Sequence, residues 1–377
     1  MSAALALALQ VAVTACSAPE SPARPEHLPA LPVLDPVKDI WPDAVGSAPR
    51  KLKGGGTLLP VAMLGKHEML MRDWAKRPTF FNVNTRSGRH RQLSTAPRWA
   101  ECGGCFEIEH TALSATQVAW LVSGYAPGAT YGGQRHVELW AMPLVGGSMR
   151  MVTRLPINKD QQIFGFQITE DTAAWWGYEG DVWKASMSGG RPEPVRPDRK
   201  LRVTNWPWAW DVSERTVINL ATGEERRVTA GRDLRELTCG PVWCVGQAES
   251  VPYEMRKVVI MRLDGAERTE LPGDANLRMA PFRETIFLLG LPTIRGDDSR
   301  EITWGAAQLG PLIQLYDRCT KRTAVIGSSA LQKRGMPWHE IKVGATSPEG
   351  STLFWVGNRE RYTVLDLARI AESSCVR

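Results

Sequence analysis

The chain has 377 residues, 43% of them hydrophobic, 23% charged and 8% aromatic, enough apolar mass for a buried core and too balanced a composition for a disordered chain. Its 46 basic and 40 acidic residues leave a net charge of +6, with no block of five or six like charges and no recognisable reading element, which excludes a dedicated nucleic-acid binder. No run reaches the roughly 18 apolar residues of a spanning helix, so a polytopic membrane protein is excluded as well.

From Ala3 to Ala15 the chain is apolar or small with one Gln, and it runs into Val13-Thr14-Ala15-Cys16. The length suits the hydrophobic region of an export signal and is too short to span a bilayer. This stretch resembles a bacterial lipobox, although the usual basic residue between Met1 and Cys16 is missing. The resemblance implies that Cys16 becomes the first mature residue and carries a diacylglyceryl group, whose acyl chains supply the anchor. Residues 17 to about 50 then carry Pro at 19, 22, 25, 29, 32, 36, 42 and 49, the composition of a semi-extended tether. The expected layout is a signal peptide over 1–15, a lipid-anchored Pro-rich tether over 16–53 and a folded domain over 54–377. The address is the extracytoplasmic face of the cell membrane, with plain secretion as the alternative.

Within the folded part, a hydrophobic strand closing on a small turn recurs. It reads FNVNTRSG at 81, LWAMPLVGG at 139, VWKASMSGG at 182, VINLATG at 217, VVIMRLDG at 258, LIQLYDRCT at 312 and YTVLDL at 362. Taking Val83, Leu144, Met187, Leu220, Leu263, Leu315 and Leu365 as anchors, the span from 83 to 365 over six intervals gives a mean period of 47 residues, close to that of β-propeller blades. A second strand, richer in aromatics, interleaves with the first: VAMLG at 61, VAWLVSG at 118, AAWWG at 173, WAWD at 208, VWCVG at 242, IFLLG at 286 and LFWVG at 353. Short evenly spaced strands punctuated by Gly, Pro and Asp predict an all-β protein, a propeller of seven four-stranded blades from about residue 54 to 370. One blade cannot bury both faces by itself, whereas a ring buries each against a neighbour. The chain's 15 Trp are accordingly expected between blades. Trp206, Trp208 and Trp210 stand apart, because strand alternation would send all three rings to one face, as core or as a stacking surface.

The stretch Ala345-Thr346-Ser347-Pro348-Glu349-Gly350-Ser351-Thr352-Leu353-Phe354-Trp355 resembles the S-P-D-G-x-x-Φ-x-W blade motif of TolB-type propellers, with Glu where Asp is commoner. Looser versions stand at Leu113–Trp120 and Ile168–Trp175. In that family the turn is a structural hairpin, so the resemblance implies a fold and an extracytoplasmic interaction module that binds other envelope proteins, and no active site.

Six cysteines follow Cys16: Cys102, Cys105, Cys239, Cys244, Cys319 and Cys375. An even count after an export signal predicts disulfides. Proximity ranks Cys239 with Cys244 across a hairpin and Cys102 with Cys105 in a Gly-Gly loop, leaving Cys319 with Cys375. A zinc site or a redox CxxC is the sharper alternative, but the spacing gives one CxxC beside a CxxxxC and no βαβ context.

The six His show no i, i+4 ligand pair, and HExxH, GxSxG, P-loop and GxGxxG patterns are missing, so no catalytic residue, metal or cofactor is nominated. Asp297, Asp298 and Glu301 beside Arg295 and Arg300 read as a solvated loop of an insertion. The insertion from Ser123 to His136, with Tyr125, Tyr131 and Arg135, is the candidate recognition loop, joined by Trp206, Trp208 and Trp210. The expected function is therefore a monomeric, non-catalytic lipoprotein, bound to the membrane only through its lipid, whose ring binds an envelope protein or cell-wall component. The alternative is an extracytoplasmic propeller enzyme, a hydrolase or lyase on envelope glycans.

Overall fold

A computed structural model describes residues 35–52, 55–73, 78–96, 107–125, 135–157, 163–177, 179–248, 257–272, 286–290, 313–326, 342–347, 352–358 and 360–370. Their strands form seven sheets, the blades of a β-propeller. Blade 1 comprises Leu58–Met63, Glu68–Asp73, Thr79–Asn84 and His90–Thr95. Blade 2 comprises Glu107–Leu113, Gln117–Tyr125, Arg135–Pro143 and Arg150–Ile157. Blade 3 comprises Ile163–Ile168, Thr172–Gly177, Val182–Ser186 and Glu193–Val195. Blade 4 comprises Leu201–Asn205, Trp208–Asp211, Thr216–Asn219 and Glu225–Arg227, and blade 5 comprises Leu234–Cys239, Trp243–Ala248, Lys257–Arg262 and Thr269–Pro272. These five are antiparallel meanders in chain order.

The last two blades borrow strands from the start of the chain. Blade 6 pairs Ile286–Gly290, Ile313–Asp317 and Arg322–Ile326, with Asp35–Pro36 added in parallel at its outer edge. Blade 7 pairs Lys342–Val343, Thr352–Val356 and Arg361–Asp366, and its outer strand is Val45–Pro49, running antiparallel from Val45 opposite Leu365 to Pro49 opposite Arg361. The ring is thus closed by an N-terminal strand, Val45–Pro49. Residues before the expected start at 54 take part in the ring, through Asp35–Pro36 on blade 6 and Val45–Pro49 on blade 7.

The core lies between blades. Seven buried clusters occupy the seven successive interfaces, from Leu70, Phe80 and Trp120 between blades 1 and 2 to Phe354, Tyr362, Met69 and Met71 between blades 7 and 1. Strand alternation explains the near-continuous apolar runs: Met69 and Met71 face blade 7 while Leu70, between them, faces blade 2. Both faces of a middle strand are buried, so both sets of positions must be apolar. Trp120, Trp175, Trp176, Trp210, Trp243 and Trp355 are all buried, as expected for inter-blade packing. The aromatic series marks second strands in its last six members, but its first, at 61, lies in the first strand of blade 1.

Turn chemistry accounts for the other series. Asn84 accepts from the N–H groups of Arg86 and Ser87, and Asn219 from those of Ala221 and Thr222. Each such turn ends four residues on at a glycine with positive φ, Gly88 at 71° and Gly223 at 79°, where a side chain would be strained. In blade 6 Asp317 takes the Asn role, accepting from Cys319 N–H, and Lys321 sits at φ 55° where the glycine belongs. Lys321→Gly is expected to stabilise the fold by about 1 kcal/mol, read as a higher denaturation midpoint at unchanged m-value.

Near the axis the inner strand of blade 7 leaves its own sheet. Lys342–Val343 pairs within blade 7, but Ala345 and Thr346 pair in parallel with Thr111 and Ala112 of blade 2, and the Thr346 hydroxyl donates to the Phe166 carbonyl of blade 3 at 2.6 Å. Gly344, at the crossing, is so close to blade 1 that an added Cβ would lie 2.3 Å from the Val61 carbonyl oxygen.

Candidate interaction face

The antiparallel meander gives the ring two unlike faces. One carries the turns between first and second strands and between third and fourth, none longer than six residues wherever the described strands define them. The opposite face carries the connections of nine residues between Tyr125 and Arg135, 15 between Ile326 and Lys342, and 22 between Gly290 and Ile313, while the 13 residues between Pro272 and Ile286 join one face to the other. The tight turns are held by their own side chains: Ser114 Oγ accepts from Gln117 N–H and Thr169 Oγ1 from Thr172 N–H, both at 3.1 Å. This is the structural role implied for the loose motif copies at those positions. Glu170, on the turn of blade 3, accepts from the Thr116 hydroxyl of blade 2 at 2.5 Å, and this bond holds its carboxyl below the ordinary range.

The candidate residues are distributed as follows. Tyr125 and Arg135 pair as the last rung of the blade 2 hairpin, at the root of the recognition insertion, while Tyr131 lies outside the described residues. Trp206, Trp208 and Trp210 do not share one face. Trp206 sits in a two-residue turn closed by a cis Trp206-Pro207 bond and packs toward blade 3, whereas Trp208 and Trp210 pack toward blade 5. Trp210 is buried and donates to the Leu237 carbonyl at 3.0 Å, and the Arg226 guanidinium covers Trp208 at 4.6 Å. A stacking surface for sugars is therefore not assembled from these three rings.

Cys239 and Cys244 are directly opposed in the blade 5 hairpin and form the expected disulfide. Cys319 is also disulfide-bonded; its expected partner Cys375 lies outside the described residues, as do Cys16, Cys102 and Cys105 and the carboxylates Asp297, Asp298 and Glu301. Among the described residues no group of three or more His, Cys, Asp or Glu is placed to hold a metal, and no helix is long and apolar enough to cross a membrane.

Two polar features escaped the sequence reading. Glu138, in the third strand of blade 2, is 1% exposed, accepting from Trp140 Nε1 at 2.9 Å and from Arg154 Nε at 2.7 Å. Arg154 itself is half-exposed. Removing it withdraws the cation from a buried carboxylate, whereas neutralising Glu138 leaves an arginine that water can solvate. Arg154→Ala is expected to cost about 2 kcal/mol and Glu138→Gln about 1 kcal/mol, as read from urea denaturation. Only the charge gives this order.

His110, in the first strand of blade 2, donates through Nε2 to the Ile163 carbonyl at 3.1 Å. Burial holds its pKa below the ordinary 6.5, against the opposing pull of that bond. The folded state thus binds its proton later than the unfolded one, so stability is full above the unfolded pKa and falls as the pH drops below it. Thermal melts between pH 8 and pH 5 should show part of this loss vanish in His110→Gln.

No family model matches the chain, and no curated protein matches it. Among solved structures it is similar to YCF48 bound to D1 peptide, at 10% identity over 88% of this chain and 99% of that one, TM-score 0.42. It is also similar to BamB from Moraxella catarrhalis, at 11% over 84% and 89%, TM-score 0.33. A third is an oligogalacturonate lyase in complex with manganese, at 10% over 80% and 74%, TM-score 0.37. At these identities the likeness is one of fold.

Proposed function

We propose that this chain is a non-catalytic, TolB-like propeller that serves as a binding module in the cell envelope, exported and held by a lipid on Cys16. The observation that carries the reading is the asymmetry of the ring. The connections of nine, 15 and 22 residues all issue from one face, whereas the other carries short self-capped turns. A rigid scaffold that presents variable-length segments on one side is the usual arrangement for recognition. Side-chain staples such as Thr116 to Glu170 and Arg318 to Glu267 tie neighbouring blades together on the tight-turn face and make the scaffold behind those segments rigid. The apolar run before Cys16 supports export, and the Pro-rich residues after it support a tether.

The test is crosslinking of the tagged protein in cells, with mass spectrometry of what co-purifies from the envelope. A reproducible protein partner, lost when the connection between Tyr125 and Arg135 is shortened, is the expected result. Recovery of glycan fragments that the purified chain degrades would overturn the non-catalytic reading.

A further inference from the structure

Folding gathers on blades 1 and 2 a basic surface that the sequence disperses. The turn Gly65–His67 and the turn Thr85–Arg89 of blade 1 are joined, because Thr85 N–H donates to the His67 carbonyl at 2.8 Å. Lys66, His67, Arg86, Arg89, His90 and Arg91 are all exposed there. Arg91 reaches the neighbouring blade and donates through Nη1 to the Val145 carbonyl at 3.1 Å. Over 65–68, 84–92 and 143–151 stand five Lys or Arg (66, 86, 89, 91 and 150) and one carboxylate, Glu68. Glu68 is engaged by Asn82 Nδ2 at 2.6 Å, and Lys66, Arg86 and Arg89 have no ion-pair partner among the described residues. On blade 4, by contrast, Arg196 and Arg199 both lie against Glu225.

The second observation is apolar. Val145, on the tip of the blade 2 turn beside Arg91, is 77% exposed, and Met151 in the following strand is 46% exposed. Val145 is the most exposed of the large hydrophobic side chains left open among the described residues. Cations surrounding a protruding apolar tip match the headgroup layer of an anionic bilayer, where charge supplies attraction and the tip enters the boundary.

We propose that this tight-turn surface of blades 1 and 2 docks on an anionic membrane, through Lys66, Arg86, Arg89 and Arg91 with Val145 as the inserting tip. The inference goes beyond the binding-module reading and holds with or without a lipid on Cys16. It sets the orientation of the ring, with the long-connection face turned away from the bilayer.

The test uses the full chain carrying Cys16→Ser, sedimented with vesicles of phosphatidylcholine alone or with about 30% phosphatidylglycerol. Binding to the anionic vesicles only, weakened by salt, is expected. Arg86→Glu with Arg89→Glu should lower it at least about tenfold, and Val145→Asn, which removes the apolar tip and leaves the charge unaltered, should lower it without changing the salt dependence. Reversing Arg196 and Arg227 on blade 4 controls for net charge and should leave binding unchanged. Equal binding to both vesicle types, an equal loss in the blade 4 control, or capture of polyglutamate in place of vesicles would each overturn the proposal, the last in favour of an acidic protein partner.

Discussion

Gly344→Ala is expected to lower the stability of the ring by about 3 kcal/mol and its thermal midpoint by about 4 °C. The added methyl would lie 2.3 Å from the Val61 carbonyl oxygen and 3.1 Å from the carbonyl carbon. A backbone group cannot rotate away as a side chain does, so either the blade 7 segment lifts off blade 1 or the Val61 strand shifts. Lifting breaks the pairing of Ala345 and Thr346 with blade 2 and the Thr346 bond to Phe166. Gly56→Ala is the matched control, since a Cβ there meets nothing within 4 Å, and it should stay within about 0.5 kcal/mol of the parent. Differential scanning fluorimetry of the two variants side by side checks the crossing. Equal midpoints would mean that the segment does not run against Val61.

Removing residues 1–51 is expected to abolish the cooperative transition. The deletion takes away the five-residue outer strand of blade 7 and the parallel pair on blade 6. It also removes Val37, Ala44 and Ala48, all buried against the last two blades. The lost backbone pairing alone is of order 5 kcal/mol, and it exposes Arg361–Asp366 as an open edge ready to pair with another chain. Aggregation or a broad melt, measured by light scattering with circular dichroism, is the outcome. A synthetic peptide spanning 35–51, added in trans, should restore part of the transition.

The parts of this fold legible in the sequence are those with local causes. The first six members of the turn-closing series fall on the strand before a hairpin, because the Asn, Asp and Gly of the turn are demanded by hydrogen bonds within a few residues, and the seventh, at 362, is the third strand of blade 7. The aromatic series fails only in blade 1, where Met69, Leu70 and Met71 fill both interfaces and no ring marks the second strand. Trp206 was misplaced because alternation stops at the turn it occupies. Val45–Pro49 was hidden as tether because an edge strand is held by backbone groups and buries one side chain, Ala48, so Val-Gly-Ser-Ala-Pro suffices. Glu138 was invisible because its cation lies one strand away. The basic surface is invisible in the sequence because its charges are dispersed over two turns of blade 1 and the first residues of two outer strands, brought together only when blade 1 folds and blade 2 stacks on it.

The strand that completes blade 7 pairs residues 320 positions apart, Val45 with Leu365. Each meander can form as soon as its own hairpins are made, but the circle cannot be locked until nearly the whole chain is available. A ribosome or an export channel delivering the chain from its N-terminus therefore releases Val45–Pro49 long before its partner exists. Throughout that interval the growing stack has two open ends, and any factor that shields them during synthesis governs the yield of intact rings.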